Sequence, residues 1–169
     1  MHLTRFEIIG RLLGSYRTYY DITLYEKEHL PLRALCEYYE QNEKYMVSKK
    51  VNLWTVKGEE FIYLYEVPEL TLAVLEQCLA QAKEAGSNLA HVGPGHMYTY
   101  ITPVFVCDTI TEEARKALQT FSMRKAFRFS LQGWLIMQTV AVEAAAQPNI
   151  YTNSAGKEKI KNLKKIFSY

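Results

Sequence analysis

Cysteine is scarce: Cys36, Cys78 and Cys107 are the only three in 169 residues, and they stand far apart. That spacing excludes a disulfide framework and the CxxC pairs of a structural zinc site, and it points to a reducing cytoplasm. Long apolar runs are missing too. The opening MHLTRFEIIGRLLGSY lacks the unbroken apolar stretch of a signal peptide, and nowhere do about eighteen apolar residues run together, so neither a leader nor a membrane span is expected. Hydrophobic residues at 49% and charged residues at 22% are ordinary globular usage, which confines disorder to the ends. With no repeat period and no polar linker, one domain spanning 1–169 is the simplest organisation.

Catalytic signatures are equally sparse. No GxSxG elbow and no acid–base carboxylate pair is present. The three cysteines sit in apolar patterns, where a thiol behaves as a small hydrophobe. SAGKEK resembles the end of a phosphate-binding loop, but the glycine needed five places before Gly156 is Tyr151. Glu26, Glu28 and His29 read as a solvated loop.

What the chain has in excess is tyrosine, thirteen in all, a ring with one polar tip that suits sheet faces and edges. The net charge of +2 is unevenly placed: residues 1–110 hold 10 basic against 14 acidic residues, and residues 111–169 hold 10 against 4. A basic C-terminal part fits an anionic partner or one basic face of a folded domain.

Phe6, Ile9, Leu12, Leu13, Tyr16 and Tyr19 recur at helical spacing and predict a helix over 3–20, with Gly10 and Gly14 allowing a close backbone crossing. LRALCEYYEQ, KYMVSKKVNLWTV and EEFIYLYEV then alternate with period two, joined by turns at Gln41-Asn42-Glu43 and Lys57-Gly58-Glu59, and Pro68 ends this antiparallel meander. LTLAVLEQCLAQAKEAG predicts a second helix that Gly86 stops in a left-handed conformation. MYTYITPVFVCD is a strand with an edge or bulge at Pro103. Thr111 caps a third helix, TEEARKALQTF. Strands follow at Lys125–Ser130 and Trp134–Glu143, joined near Gln132-Gly133, with a short one at Asn149–Asn153. Ser154 caps a last, basic amphipathic helix, KEKIKNLKKIFSY, with Ile160, Leu163 and Phe167 on its apolar stripe. The fold expected is α+β, a three-stranded antiparallel meander extended by further strands and flanked by helices, in the order α-βββ-α-β-α-ββ-α.

The opening α-βββ-α-β is also the order of the restriction-endonuclease-like fold, but its chemistry is missing. The second strand carries no Asp, Glu43 stands only at its lip, and Glu66 is followed two places on by Pro68 where a lysine is needed. That order supports at most a catalytically degenerate relative that binds nucleic acid. Its contacts would come from Arg124, Lys125 and Arg128, interleaved with Phe127 and Phe129, and from Lys161, Lys164 and Lys165. The alternation of Phe127, Arg128 and Phe129 otherwise reads as two core-facing rings around a solvent-facing cation.

HVGPGHMYTY sets His91 and His96 on either side of a Gly-Pro-Gly turn. Three uses are open to it: a plain connection, a contact with a ligand or partner, or a metal-dependent enzyme site in which both imidazoles reach one ion. No third ligand is identifiable. HMYTYIT at 96–102, FRFSLQGW at 127–134, and YTN with GKE at 151–158 together resemble a family of small bacterial proteins of unknown function. The resemblance spans most of the chain and implies a bacterial cytoplasmic protein, with His96, Tyr98, Trp134 and Asn153 as residues to test together.

The first reading is therefore a non-enzymatic binding or interaction protein whose ligand- or partner-binding residues are His91, His96, Tyr98, Trp134 and Asn153. No cofactor is implied. A homodimer follows if a tyrosine-rich sheet edge is left open.

Overall fold

The computed structural model describes residues 2–42 and 55–168. Its helices are α1 (Arg5–Tyr16), α2 (Leu72–Leu89), α3 (Glu112–Thr120) and α4 (Ile160–Phe167). Its strands are β1 (Asp21–Leu24), β2 (Leu32–Asn42), β3 (Thr55–Leu70), β4 (Tyr98–Ile110), β5 (Arg124–Ala126), β6 (Trp134–Met137), β7 (Val140–Glu143) and β8 (Asn149–Thr152). Single 3₁₀ turns stand at Lys27–His29 and Lys157–Lys159. The fold is α+β, with eight strands among the described residues forming one mixed sheet. β1, β2 and β3 form the antiparallel meander, β4 adds parallel to β3, and β6 and β7 both pair with β4, at its first and second halves. β5 and β8 complete the far side.

The meander has different members from those expected. Its first strand is β1, which the short DITL stretch concealed, and the strand expected over 44–56 falls almost wholly outside the described residues, as does Glu43; Gln41 and Asn42 of the expected turn belong to β2. Lys57-Gly58-Glu59 is no turn but the interior of β3, paired with Tyr98 and Thr99. Pro68 does not end β3 either. Glu66 donates its amide to Pro31, the last residue on the β2 side, so the donor that Pro68 lacks faces an unpaired side and nothing is lost. Pro103 sits in a central strand, opposite the gap between β6 and β7, which accommodates the same deficit.

Alternation along β3 sorts the core into two layers. Phe61, Tyr63, Tyr65 and Val67 pack under α2 and α3, while Ile62 and Leu64 pack under α1 and α4. Each buried aliphatic side chain stabilises by roughly 1.5–3 kcal/mol. α1 begins at a capping box between Thr4 and Glu7, 3.2 Å from the Glu7 amide to Thr4 Oγ1 and 2.8 Å in return. Its buried stripe is Ile8, Ile9 and Leu12; Phe6 lies on the exposed side of the helix, and Tyr19 lies beyond its end at Tyr16 and is exposed too. Gly10 and Gly14 face open space and mediate no crossing. α2 runs through Gly86, where a Cβ would meet Ile101 at 2.7 Å, so that glycine serves packing and not a stop. Thr111 caps α3 as expected, accepting from the Ala114 amide at 3.2 Å.

The segment expected as strand 125–130 holds only β5. Arg128, Phe129 and Ser130 turn with φ of 46°, 54° and 71°, a left-handed run that costs roughly 1–2 kcal/mol per residue. Phe127 packs on the core but Phe129 is fully exposed, so the pair does not share a face. Gly156, not Ser154, precedes the 3₁₀ turn that leads to α4, and no side chain caps it. α4 packs back on the domain through Leu163 and Phe167. No helix among the described residues is long and apolar enough to cross a membrane. Of the edge strands β1, β5 and β8, only β8 contains a tyrosine, Tyr151.

Candidate functional site: two carboxylates on one strand

Because β3 alternates, Glu59 and Glu60 point to opposite faces. Both are buried, at 0% and 5% exposure, and a buried carboxylate costs several kcal/mol unless donors surround it. Each has them, but on different terms.

Glu59 lies under the end of α2. The His91 amide donates to both its oxygens, at 3.2 and 2.9 Å, His91 Nδ1 stands 2.8 Å from Oε1, and the Thr99 hydroxyl donates to Oε2 at 3.0 Å. Thr99 Oγ1 also meets His96 Nε2 at 2.7 Å, and His96 Nδ1 meets the Gln132 carbonyl at 2.6 Å. A carbonyl only accepts, so Nδ1 donates, and the Thr99 hydroxyl links Nε2 to Glu59. The network ties the Gly-Pro-Gly loop to β3, β4 and the turn after β5.

His91 and His96 are thus held at opposite ends of this chain. Both ring nitrogens of His96 are occupied by protein partners, so the pair does not fit a shared metal ion, and no group of three His, Cys, Asp or Glu suited to one occurs among the described residues. Glu66, the acid at the place a nuclease would use, is spanned by Arg5 and Arg33, both at 3.3 Å, and Arg5 also reaches Asp108 at 3.1 Å. Two guanidiniums on one carboxylate leave no room for Mg²⁺ chemistry.

Glu60 faces α1 and α4. Tyr20 donates its hydroxyl to Oε1, Thr102 donates to Oε2 at 2.9 Å, and Lys159 Nζ pairs with Oε2. Burial first, and then the Glu60 charge, pushes the Tyr20 phenol well above its ordinary value, which keeps it a donor. Around Glu60 the sheet is only half covered. Pairing lines up Glu40, Gly58, Tyr98 and Trp134 in one row and Tyr38, Glu60, Tyr100, Ile136 and Arg124 in the next. Tyr98 leans over Gly58, where a Cβ would lie 2.0 Å from its ring, and reaches Glu40 at 3.0 Å. Arg124 lies 4.0 Å over Trp134, a cation–π contact that fixes the guanidinium.

The break between β6 and β7 opens a cleft of about 690 Å³ beside these rows. Gln138, at the break, donates to the Ala155 carbonyl at 3.0 Å and to Glu158 at 2.8 Å. Asn153 staples the break. Its Oδ1 accepts from the Thr139 and Gly156 amides at 3.1 and 2.9 Å, and its Nδ2 donates to the Phe121 and Met137 carbonyls, both at 3.1 Å. Those four bonds use the full capacity of its amide. The cleft wall also carries Tyr100, Arg124, Ile136 and Glu158. Burial, followed by the charges of Glu158 and Glu60, raises the Tyr100 phenol.

The five residues singled out in the sequence therefore occupy three places: His91 and His96 in the sealed network, Tyr98 and Trp134 side by side on the open face, and Asn153 within the staple. Arg124 lines the cleft and also a second cavity that it shares with Lys125, Arg128 belongs to the exposed turn, and Lys161, Lys164 and Lys165 to the outer side of α4. Glu59, Glu60, Thr99, Thr102, Gln138 and Lys159 were missed. The one signal available was two adjacent acids at the head of an apolar run. No curated protein and no solved structure matches the chain. The family model described as "Domain of unknown function (DUF8052)" matches residues 5–165, and the chain belongs to that family.

Proposed function

We propose that this domain is a binding protein whose ligand lies in the cleft at the β6–β7 break. The observation that carries the reading is the break itself: it makes a concavity of about 690 Å³, within the range of small-molecule sites, into which a pre-positioned guanidinium projects. Arg124 is held by Trp134 and has no carboxylate partner among the described residues. Tyr100, Ile136, Met123 and Phe121 supply apolar surface beside it, and Ser122, Ser154 and Gln138 supply polar atoms. A small molecule with an anionic group on a planar or apolar body matches this set.

The reading is not catalytic. The thiols of Cys36 and Cys107 are pushed up to about 12 and that of Cys78 to about 11, by burial in each case, so none is a ready nucleophile. Three buried, unpaired thiols also support a place in the cytoplasm. The α-βββ-α-β order supports kinship with the restriction-endonuclease-like fold, without its metal-binding carboxylates.

Native mass spectrometry of the purified protein, followed by titration with anilinonaphthalene sulfonate, tests the reading. A retained small molecule or saturable probe binding is expected, weakened roughly tenfold by Arg124→Ala and blocked by Ala155→Trp, which fills the cleft. An empty mass with binding indifferent to both variants would sink it.

A further inference from the structure

Outside the cleft, the turn between β5 and β6 combines three further features. First, it holds two apolar side chains in water: Phe129 is 100% exposed and Leu131 82%. The turn is not slack. Phe127 donates to the Gly133 carbonyl at 3.0 Å, Gln132 donates back to the Phe127 carbonyl at 3.2 Å, and buried His96 grips the Gln132 carbonyl from below. The left-handed run over Arg128, Phe129 and Ser130 is thus fixed by its base, as strained segments with a task commonly are.

Second, a cavity of about 500 Å³ lies at that base, between the end of α2 and β5. Its floor is apolar, with Val92, Phe127 and Leu135, and its rim carries Lys83, Arg124 and Lys125, with no carboxylate in the lining. Third, residues 114–142 contain no Asp or Glu, so the cations around the turn stand unopposed along the chain.

We infer that this end of the molecule docks on an anionic lipid surface, with Phe129 and Leu131 entering the apolar boundary and the cationic cavity receiving a headgroup. Exposed apolar tips beside unopposed cations are the elements of interfacial binding. Single-stranded nucleic acid fits less well. Base stacking needs open aromatic faces, but Trp134 is covered by Arg124 and Phe127 by Lys125 and the His96 edge, and Leu131 has no ring.

The test is co-sedimentation of the whole chain with phosphatidylcholine vesicles, with and without about a third phosphatidylserine. Binding to the anionic vesicles alone is expected. The Phe129→Ser, Leu131→Ser double variant should weaken it by roughly tenfold or more, and the Lys83→Glu, Lys125→Glu double variant should reduce it to the level on neutral vesicles. All four positions are exposed or line the cavity rim, and unchanged far-ultraviolet circular dichroism and melting will show that the variants fold. Absence of binding at low salt overturns the inference. So does binding insensitive to the apolar pair, which would be charge adsorption only, and so does an oligonucleotide bound through the same cations while vesicles are ignored.

Discussion

Glu59 and Glu60 follow one another on β3 and carry the same side chain, yet they end in different surroundings. Glu59 is sealed: the amide and ring of His91 and the Thr99 hydroxyl hold it, and through Thr99 its network runs to His96 and closes on a carbonyl. Glu60 is held by side chains that reach it from distant elements, a tyrosine after α1 and a lysine before α4, beside a half-covered sheet. The first arrangement fastens a loop. The second ties β3 to the segments after α1 and before α4. Burial alone does not distinguish them; the distinction lies in the donors, a main-chain amide and a continuing hydrogen-bond chain for Glu59 against three side chains from separate elements for Glu60.

Removing each carboxylate should separate the two most sharply. Glu59→Ala strands Thr99, His96 and the His91 amide together and should cost about 3–5 kcal/mol. Glu60→Ala releases Lys159 and Tyr20 toward solvent and should cost about 1–2 kcal/mol. Urea unfolding of both variants measures the gap, and equal losses would break the comparison. The threonines give a finer version. Thr99→Val leaves Glu59 and His96 facing one another without their connecting hydroxyl, a loss of about 2–3 kcal/mol, whereas Thr102→Val leaves Glu60 with two donors, a loss of about 1 kcal/mol. In the first variant alone, the ¹⁵N shifts of the His96 ring should change.

Sequence patterns gave the elements whose signals are local. Thr111 caps α3, Leu75 and Leu79 mark the buried side of α2, and Cys36, Cys78 and Cys107 are buried as expected. The failures share a cause, which is a tertiary partner overriding local chemistry. Lys57-Gly58-Glu59 carries turn residues, but Tyr98 covers Gly58 and Glu59 finds donors 32 and 40 residues away. Gly86 has the composition of a helix stop, but Ile101 needs its missing Cβ. Trp134–Glu143 reads as one strand, but Asn153 divides it at Thr139 and so makes the cleft. His91 and His96 stand out in the sequence as a pair, and they do belong to one network; the acid and hydroxyl that join them carry no signal in their spacing.

Gly58→Ala should act on the open side alone. The new methyl displaces the Tyr98 ring, which can swing toward solvent at the expense of its bond to Glu40, so about 1 kcal/mol is expected with the His91 and His96 signals unmoved. Alkaline pH should also weaken the open side. Cys36, raised from 9.0 to about 12 by burial and then by Glu60, adds stability that is complete below pH 9 and is lost as the pH climbs toward 12. Tyr20, raised for the same reasons, acts in the same direction above about pH 10. Cys36→Ala should flatten the pH dependence of the unfolding midpoint between those limits.

The smallest effect belongs to the outermost member of the sealed network. His91 has a side chain 53% exposed, so water competes for its bond to Glu59 and discounts it. The His91 amide, which holds both carboxylate oxygens, survives any substitution of the side chain. His91→Ala should therefore cost no more than about 0.5 kcal/mol in urea unfolding and leave the His96 ring resonances in place. A loss above about 2 kcal/mol would mean that the hydrogen-bond network of Glu59 and His96 depends on a side chain at the surface, and the contrast between the two carboxylates would then fail.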